Sequence, residues 1–214
     1  MAAQRTYGGL SAEERRTQRR SALLDAALEI IGIQGLDKLT VSGMCSQAGL
    51  NERYYYESFS SRDDVLTALL DGIAEELVLA ITSATHTTPG DSRAKAHAAI
   101  TAGIHLLTDD PRKTEVTMVA AMATPQLRAR TTETIRVFAR LVASEGIEFY
   151  GVTDPAPDPV IDFRATYLVG GLIHTLTSWV RGDLPIDRDT LIAYTTDVFV
   201  LLGEDAVHQD KPDR

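Results

Sequence analysis

The sequence predicts an all-α protein in two parts, and three observations carry that prediction. Apolar residues recur three and four positions apart through most of the chain, the period of a helix buried on one face. Capping residues stand where those runs begin: Ser11 ahead of Glu14, Thr40 ahead of Val41, and the pairs Asp110-Pro111 and Thr124-Pro125. No stretch makes a convincing strand or an internal repeat.

In order, residues 1–10 lack periodicity and read as a disordered arm. Ser11-Ala12-Glu13-Glu14 is a capping-box pattern, so the first helix starts there and runs to about Ile33, with Leu24, Leu28 and Ile31 on one stripe. Thr40 caps a short helix whose apolar face holds Val41, Met44, Cys45 and Ala48. Gly49 suits the positive φ that ends a helix, Leu50 plugs the corner, and Asn51 stands ready to cap Glu52 to Phe59. That last helix is too short to be stable alone and needs its neighbours. Two packed helices across a tight turn form a helix-turn-helix, whose second helix fits a DNA major groove. A long helix follows from Ser61 to about Ser83, with Asp64 at its capping-box position, and His86 to Gly90 makes the clearest break.

The boundaries expected are therefore an arm at 1–10, a helix-turn-helix domain at 11–60, a linking helix at 61–86 and a body at 87–214. The body reads as helices over 92–107, 111–123, 125–149, 160–180 and 187–202, with a proline-rich loop at 151–159. In the fourth of these, Ile161, Ala165, Leu168, Leu172 and Leu176 form one apolar stripe. Phe163, Tyr167, Gly170, Gly171, His174 and Ser178 form a second.

Thr40, Ala48-Gly49-Leu50-Asn51, Tyr55-Tyr56-Glu57-Ser58-Phe59 and Ser61-Arg62, with Ala26-Ala27-Leu28 and Gly35-Leu36 upstream, resemble the TetR family of transcriptional regulators. The likeness is close from about Leu23 to Leu70. It implies a homodimer that binds a palindromic double-stranded DNA operator and is released by a small-molecule effector, most simply a repressor. Arg15, Arg16, Thr40, Ser42, Asn51, Arg53, Tyr54, Tyr56 and Arg62 are the expected DNA-binding residues, with Tyr55 facing the core. Departures from the family pattern bear on the operator rather than the fold. Gly43 replaces a better helix former at a cost of ~1 kcal/mol relative to Ala. Arg62 stands in for a lysine. Glu57 occupies a place where basic side chains are common, and phosphates repel a glutamate.

The net charge of −9 argues at first against nucleic acid, but its distribution reverses the argument. Residues 1–62 hold eight Lys and Arg against seven Asp and Glu, while the remainder holds thirteen against twenty-three. Only the N-terminal part tolerates a polyanion. No apolar run reaches the ~18–20 residues of a membrane span, and the single cysteine, Cys45, makes no internal disulfide. The cytoplasm is the expected compartment.

No catalytic or metal-binding spacing appears, so neither an enzyme, a metal site nor a cofactor is expected. His105, Met118, Met122, Phe138, Tyr167 and His174 are large or polarizable residues on body helices and are the candidates for an effector cavity. Phe163, Gly170, Gly171, Tyr194, Val198 and Leu202 are the candidates for a dimer interface. Two alternatives stay open: a helix-turn-helix regulator without a ligand, and an all-α enzyme or small-molecule carrier.

Overall fold

The computed structural model describes the backbone of residues 11–150 and 159–209, and side chains up to 146 and from 159 to 203. The expected arm at 1–10 and nearly all of the loop at 151–159 lie outside that range. Among the described residues the regular structure is helical throughout: α1 (Ala12–Gln34), α2 (Val41–Ala48), α3 (Glu52–Tyr56), α4 (Arg62–Thr87), α5 (Ser92–Thr108), α6 (Pro111–Met118), α7 (Pro125–Tyr150), α8 (Pro159–Val180) and α9 (Arg188–Gln209). Short 3-10 turns at Leu36–Lys38 and Ala120–Met122 follow α1 and α6. The all-α expectation holds.

The helix starts are set locally. Ser11 and Glu14 form the reciprocal capping box at α1. Asp64 does the same for α4, accepting from the Ser60 and Ser61 backbone N–H groups at 3.0 and 3.1 Å while its own N–H donates to the Ser61 hydroxyl. Asp91 accepts from Ala94 N at the start of α5, and Asp110 accepts from Arg112 N with Pro111 in the first helical position. Each bond satisfies a backbone donor that the first turn of a helix otherwise leaves without a partner.

The chain divides into two compact units, and the division is not a single cut in sequence. The first holds the described residues up to Ile73 together with Asp110–Arg128; the second holds Ala74–Asp109 and the described residues from Ala129 onward. Residues 110–128, expected with the body, thus gather with the head, and α4 contributes to both units.

In the first unit, Leu23, Ala27, Ile30 and Ile31 of α1 are buried with Leu39, Met44, Cys45, Tyr55, Phe59, Val65 and Leu66. Helix α6 lies along the C-terminal half of α1, and Gly32 makes that approach possible. A Cβ at position 32 would sit 2.2 Å from Arg112 Cγ and 2.9 Å from its Cα, so no other residue fits without displacing α6. The Arg112 guanidinium reaches past the glycine to Glu29 at 2.6 Å and folds back onto Asp110 at 2.9 Å. Hydrogen bonding to Arg112 holds the Asp110 carboxyl below the usual aspartate range. A depressed carboxylate stabilises the fold above its unfolded pKa and loses that contribution as pH falls through the folded value. This contact therefore weakens only in acid, below the ordinary aspartate range.

In the second unit, Ala139 of α7 packs with Ala165 and Val169 of α8, and Ile135, Phe138, Val142 and Ile173 close around them. Helix α9 is tied to α5 by Arg93 with Asp197, and by Arg188 with Asp109. His105 Nδ1 lies 2.9 Å from Asp109 Oδ2 and 3.0 Å from Arg188 Nη1. Trp179 Nε1 donates to the Ile186 carbonyl at 2.8 Å and fixes the turn between α8 and α9.

Replacing Gly32 by Ala removes a helix-weakening residue worth ~1 kcal/mol, yet it overpacks the α1–α6 contact. The steric term should win, lowering stability to urea by ~1–3 kcal/mol. A gain in stability would show that α6 moves aside without cost.

Candidate nucleic-acid interface

The surface that could meet DNA is built by α2, α3 and the N-terminal half of α1. Thr40 caps α2, its Oγ1 accepting from Gly43 N at 3.0 Å. A Cβ at Gly43 would lie 2.8 Å from that oxygen, so the glycine gives the cap room and offsets its poor helix propensity. Gly49 adopts φ 65°, ψ 31°, the left-handed geometry expected for the turn. Ser42 is exposed on the first turn of α2. Asn51 occupies the N-cap of α3 with extended backbone but makes no side-chain capping bond, contrary to expectation. Its side chain is exposed.

Helix α3 ends at Tyr56, three residues before the expected Phe59. The chain turns there because the Ser58 and Phe59 backbone N–H groups both donate to the Tyr55 carbonyl, which carries Phe59 into the core. Three successive tyrosines then serve three ends. Tyr55 is fully buried, with the Phe59 ring 5.8 Å and the Tyr56 ring 5.1 Å from its own. Tyr56 is 62% exposed. Tyr54 is half-buried, and the Arg19 guanidinium carbon lies 4.4 Å from its ring centroid, a cation–π contact between α1 and α3.

Basic side chains surround this surface. Arg53 projects from α3 with 83% of its side chain exposed and its Nε 3.1 Å from Glu57 Oε1. Arg16 Nη2 donates to the Glu57 carbonyl at 2.9 Å, and Arg19 Nη2 lies 3.6 Å from Glu57 Oε2. Arg20 packs over Phe59 at 5.1 Å. Arg62 is exposed at the start of α4 and donates to the Leu39 carbonyl at 3.4 Å, while Arg15 is half-buried on α1. The fold brings the expected DNA-facing residues onto one unit. It also places there Arg19, part of the arginine cluster Arg15, Arg16, Arg19 and Arg20 whose spacing in the sequence already suits phosphate contact, and Glu57, which the sequence reading set against phosphates. The Arg53–Glu57 spacing of four on a helix was the signal available for the second.

The effector candidates are divided between the two units. Met118 and Met122 lie in the first unit, Met122 half exposed, whereas His105, Phe138, Tyr167 and His174 belong to the second. His105 is engaged at the α5–α9 junction and Phe138 in the α7–α8 core. Tyr167 and His174 are exposed because Ala165, Leu168, Val169 and Leu176 take the inward face of α8. The two join Phe163 and Gly171 on an outward stripe, where the Phe163 and Tyr167 rings stack at 6.3 Å. On α9 the exposed apolar residues are Tyr194, Val198 and Leu201; Leu202, expected in that row, is half-buried and its carbonyl accepts from Arg164. Among the described residues, nothing beyond the chain neighbours and the backbone of α8 itself approaches within 4 Å of a Cβ built on Gly170 or Gly171.

Comparison with solved structures settles the architecture. A TetR-family regulator from Syntrophomonas wolfei superposes with a TM-score of 0.72 at 15% identity, covering 88% of this chain and 96% of that one. The fold is that of the TetR-family transcriptional regulators. The regulator FadR from Bacillus subtilis, solved in complex with stearoyl-CoA, shares the TetR-type fold at TM-score 0.66 and 24% identity, over 85% of this chain and 96% of that one. By sequence the chain is 26% identical over 190 residues to the HTH-type transcriptional activator FasR of Mycolicibacterium smegmatis, covering 84% of this chain and 80% of that protein. No family model matches the sequence. No described helix is long and apolar enough to cross a membrane.

Among the described residues, the buried Tyr55 hydroxyl has no hydrogen-bond partner. Tyr55→Phe should therefore leave stability unchanged or raise it by ~1 kcal/mol, because it removes a desolvated polar group. Tyr55→Ala should cost ~3–5 kcal/mol by emptying the same site. Urea unfolding of the two variants checks the pair; a loss of more than ~1 kcal/mol in the phenylalanine variant would mean the hydroxyl is hydrogen-bonded in solution.

Proposed function

We propose that this chain is a sequence-specific DNA-binding transcriptional regulator acting as a homodimer and answering to a small-molecule effector. The observation that carries the reading is the exposed face of α3. Arg53 and Tyr56 stand on it beside the α1 arginines, on a scaffold fixed by the buried Tyr55. An arginine near the start of such a helix can pair with guanine O6 and N7, while Arg15, Arg16, Ser42 and Arg62 position the protein on phosphates. Thr40 and Asn51 border the same face. The acidic remainder of the chain is repelled by the duplex and helps orient it.

The outward stripes of α8 and α9 supply the dimer surface. Phe163, Tyr167, Gly171 and His174 on one helix and Tyr194, Val198 and Leu201 on the other present apolar and aromatic area that a second copy would cover. Two heads then meet half-sites of a palindrome about one DNA turn apart, ~34–36 Å. The sign of regulation follows the effector. Release by ligand makes a repressor, the reading favoured here, although the sequence relative FasR is named an activator.

The effector is proposed to be mainly apolar with one or two polar handles. Because the Bacillus subtilis relative was solved with stearoyl-CoA, a long-chain acyl-CoA is the first molecule to test. Tyr167 and His174 leave the candidate set for the dimer face, and Phe138 becomes the leading lining residue of the second unit. The effector acts only through its preference for one of two conformations.

Gly171→Leu adds bulk where the chain itself has open space, so the protomer should fold normally while the dimer is lost. Sedimentation should report a monomer, and binding to a palindromic duplex should fall below detection. An intact dimer would move the interface elsewhere. For the effector, stearoyl-CoA should raise the melting temperature and weaken operator binding together. A thermal shift with unchanged DNA affinity would favour a regulator whose DNA binding ignores that ligand.

A further inference from the structure

Glu57 looks out of place on a surface that meets phosphates, yet it is the most connected residue there. It closes α3 as the C-cap, and three arginines converge on it from two helices. Its carboxylate oxygens face Arg53 Nε at 3.1 Å and Arg19 Nη2 at 3.6 Å, and its backbone carbonyl accepts from Arg16 at 2.9 Å. Arg19 is further held against the Tyr54 ring and keeps only 24% of its side chain exposed.

A guanidinium takes a carboxylate and a phosphate through the same flat, charge-assisted contacts. A carboxylate already seated on Arg53 Nε is therefore an internal competitor for DNA phosphates. The contact is made through Nε, and the side chain as a whole stays 83% exposed. An arginine braced in this way can still present its terminal nitrogens to a guanine edge. It is poorly placed to swing onto the backbone. Resting on the DNA-binding reading above, we infer that Glu57 is a specificity-determining positioning residue: it lowers affinity for DNA of any sequence and confines Arg53 to base contact.

The test compares the full-length protein with Glu57→Gln, which keeps an acceptor for Arg53 but removes the charge, on a selected operator and on a random duplex across a salt series. In Glu57→Gln, binding to random DNA should tighten and its log affinity should fall more steeply with log salt, by about 0.9 for one added phosphate contact. The operator-to-random affinity ratio should drop about twofold, the fold-change that an exposed pair of this spacing supports. Arg53→Ala should lower the same ratio, and adding Glu57→Gln to it should lower it no further, since Glu57 acts through Arg53. Equal loss on both duplexes would reduce Glu57 to a brace for α3, and an unchanged ratio would also overturn the inference. A wild-type protein with no operator preference would instead refute the DNA-binding reading itself.

Discussion

The DNA-facing surface proposed for this protein depends on burying one aromatic ring from a five-residue helix. So short a helix has no stability of its own, because forming the first turns costs more backbone entropy than their hydrogen bonds return. Tyr55 resolves this by removing its whole side chain from water beside Phe59, in a helix that packs on α1 and α2. Burial of a ring that size contributes ~1.5–3 kcal/mol, enough to hold a few residues in place. The arrangement has a geometric consequence: with Tyr55 inward, Arg53 and Tyr56 must point away from the core. The reading surface is thus the reverse side of a packing contact.

Electrostatics then shapes that surface. The chain is strongly acidic, and attraction to DNA is concentrated where α1 and α3 bring arginines together. Those arginines are not loose. Arg19 rests on Tyr54, Arg16 binds the backbone of Glu57, and Arg53 pairs with its carboxylate. Ordering long side chains before DNA arrives reduces the entropy lost on binding. On the proposed reading it also weakens indiscriminate attraction, which a regulator competing against a genome of wrong sites must limit.

How much of this was legible in the sequence depended on whether the governing interaction was local. The caps at Ser11, Thr40, Asp64 and Asp110 are contacts within four residues, and each was readable. So was Tyr55 as the inward tyrosine, through the family resemblance that turns Tyr56 outward. The attachment of α6 to α1 was not readable. Gly32 and Arg112 are far apart in the chain, and a glycine within a helix announces a close approach without naming what approaches. The first stripe of α8 was read as the face that packs on the body, and the structure buries Ala165, Leu168 and Leu176 of it. Tyr167 and His174 lie on the second stripe with the dimer candidates Phe163 and Gly171, yet their size and polarity also placed them with the effector candidates, and the structure exposes them. On α9 a shift of one residue exchanges Leu202 for Leu201, an ordinary uncertainty where a row of 194 and 198 continues at either position.

The account stands on recognition of a specific DNA sequence by two copies of α3. Selection of bound duplexes from a random pool by the purified protein, followed by sequencing, tests it most directly. The predicted result is one enriched palindrome whose half-site centres lie ~10 base pairs apart or a multiple of that. Recovery of a pool indistinguishable from the input, at salt low enough to retain DNA on the protein, would contradict it.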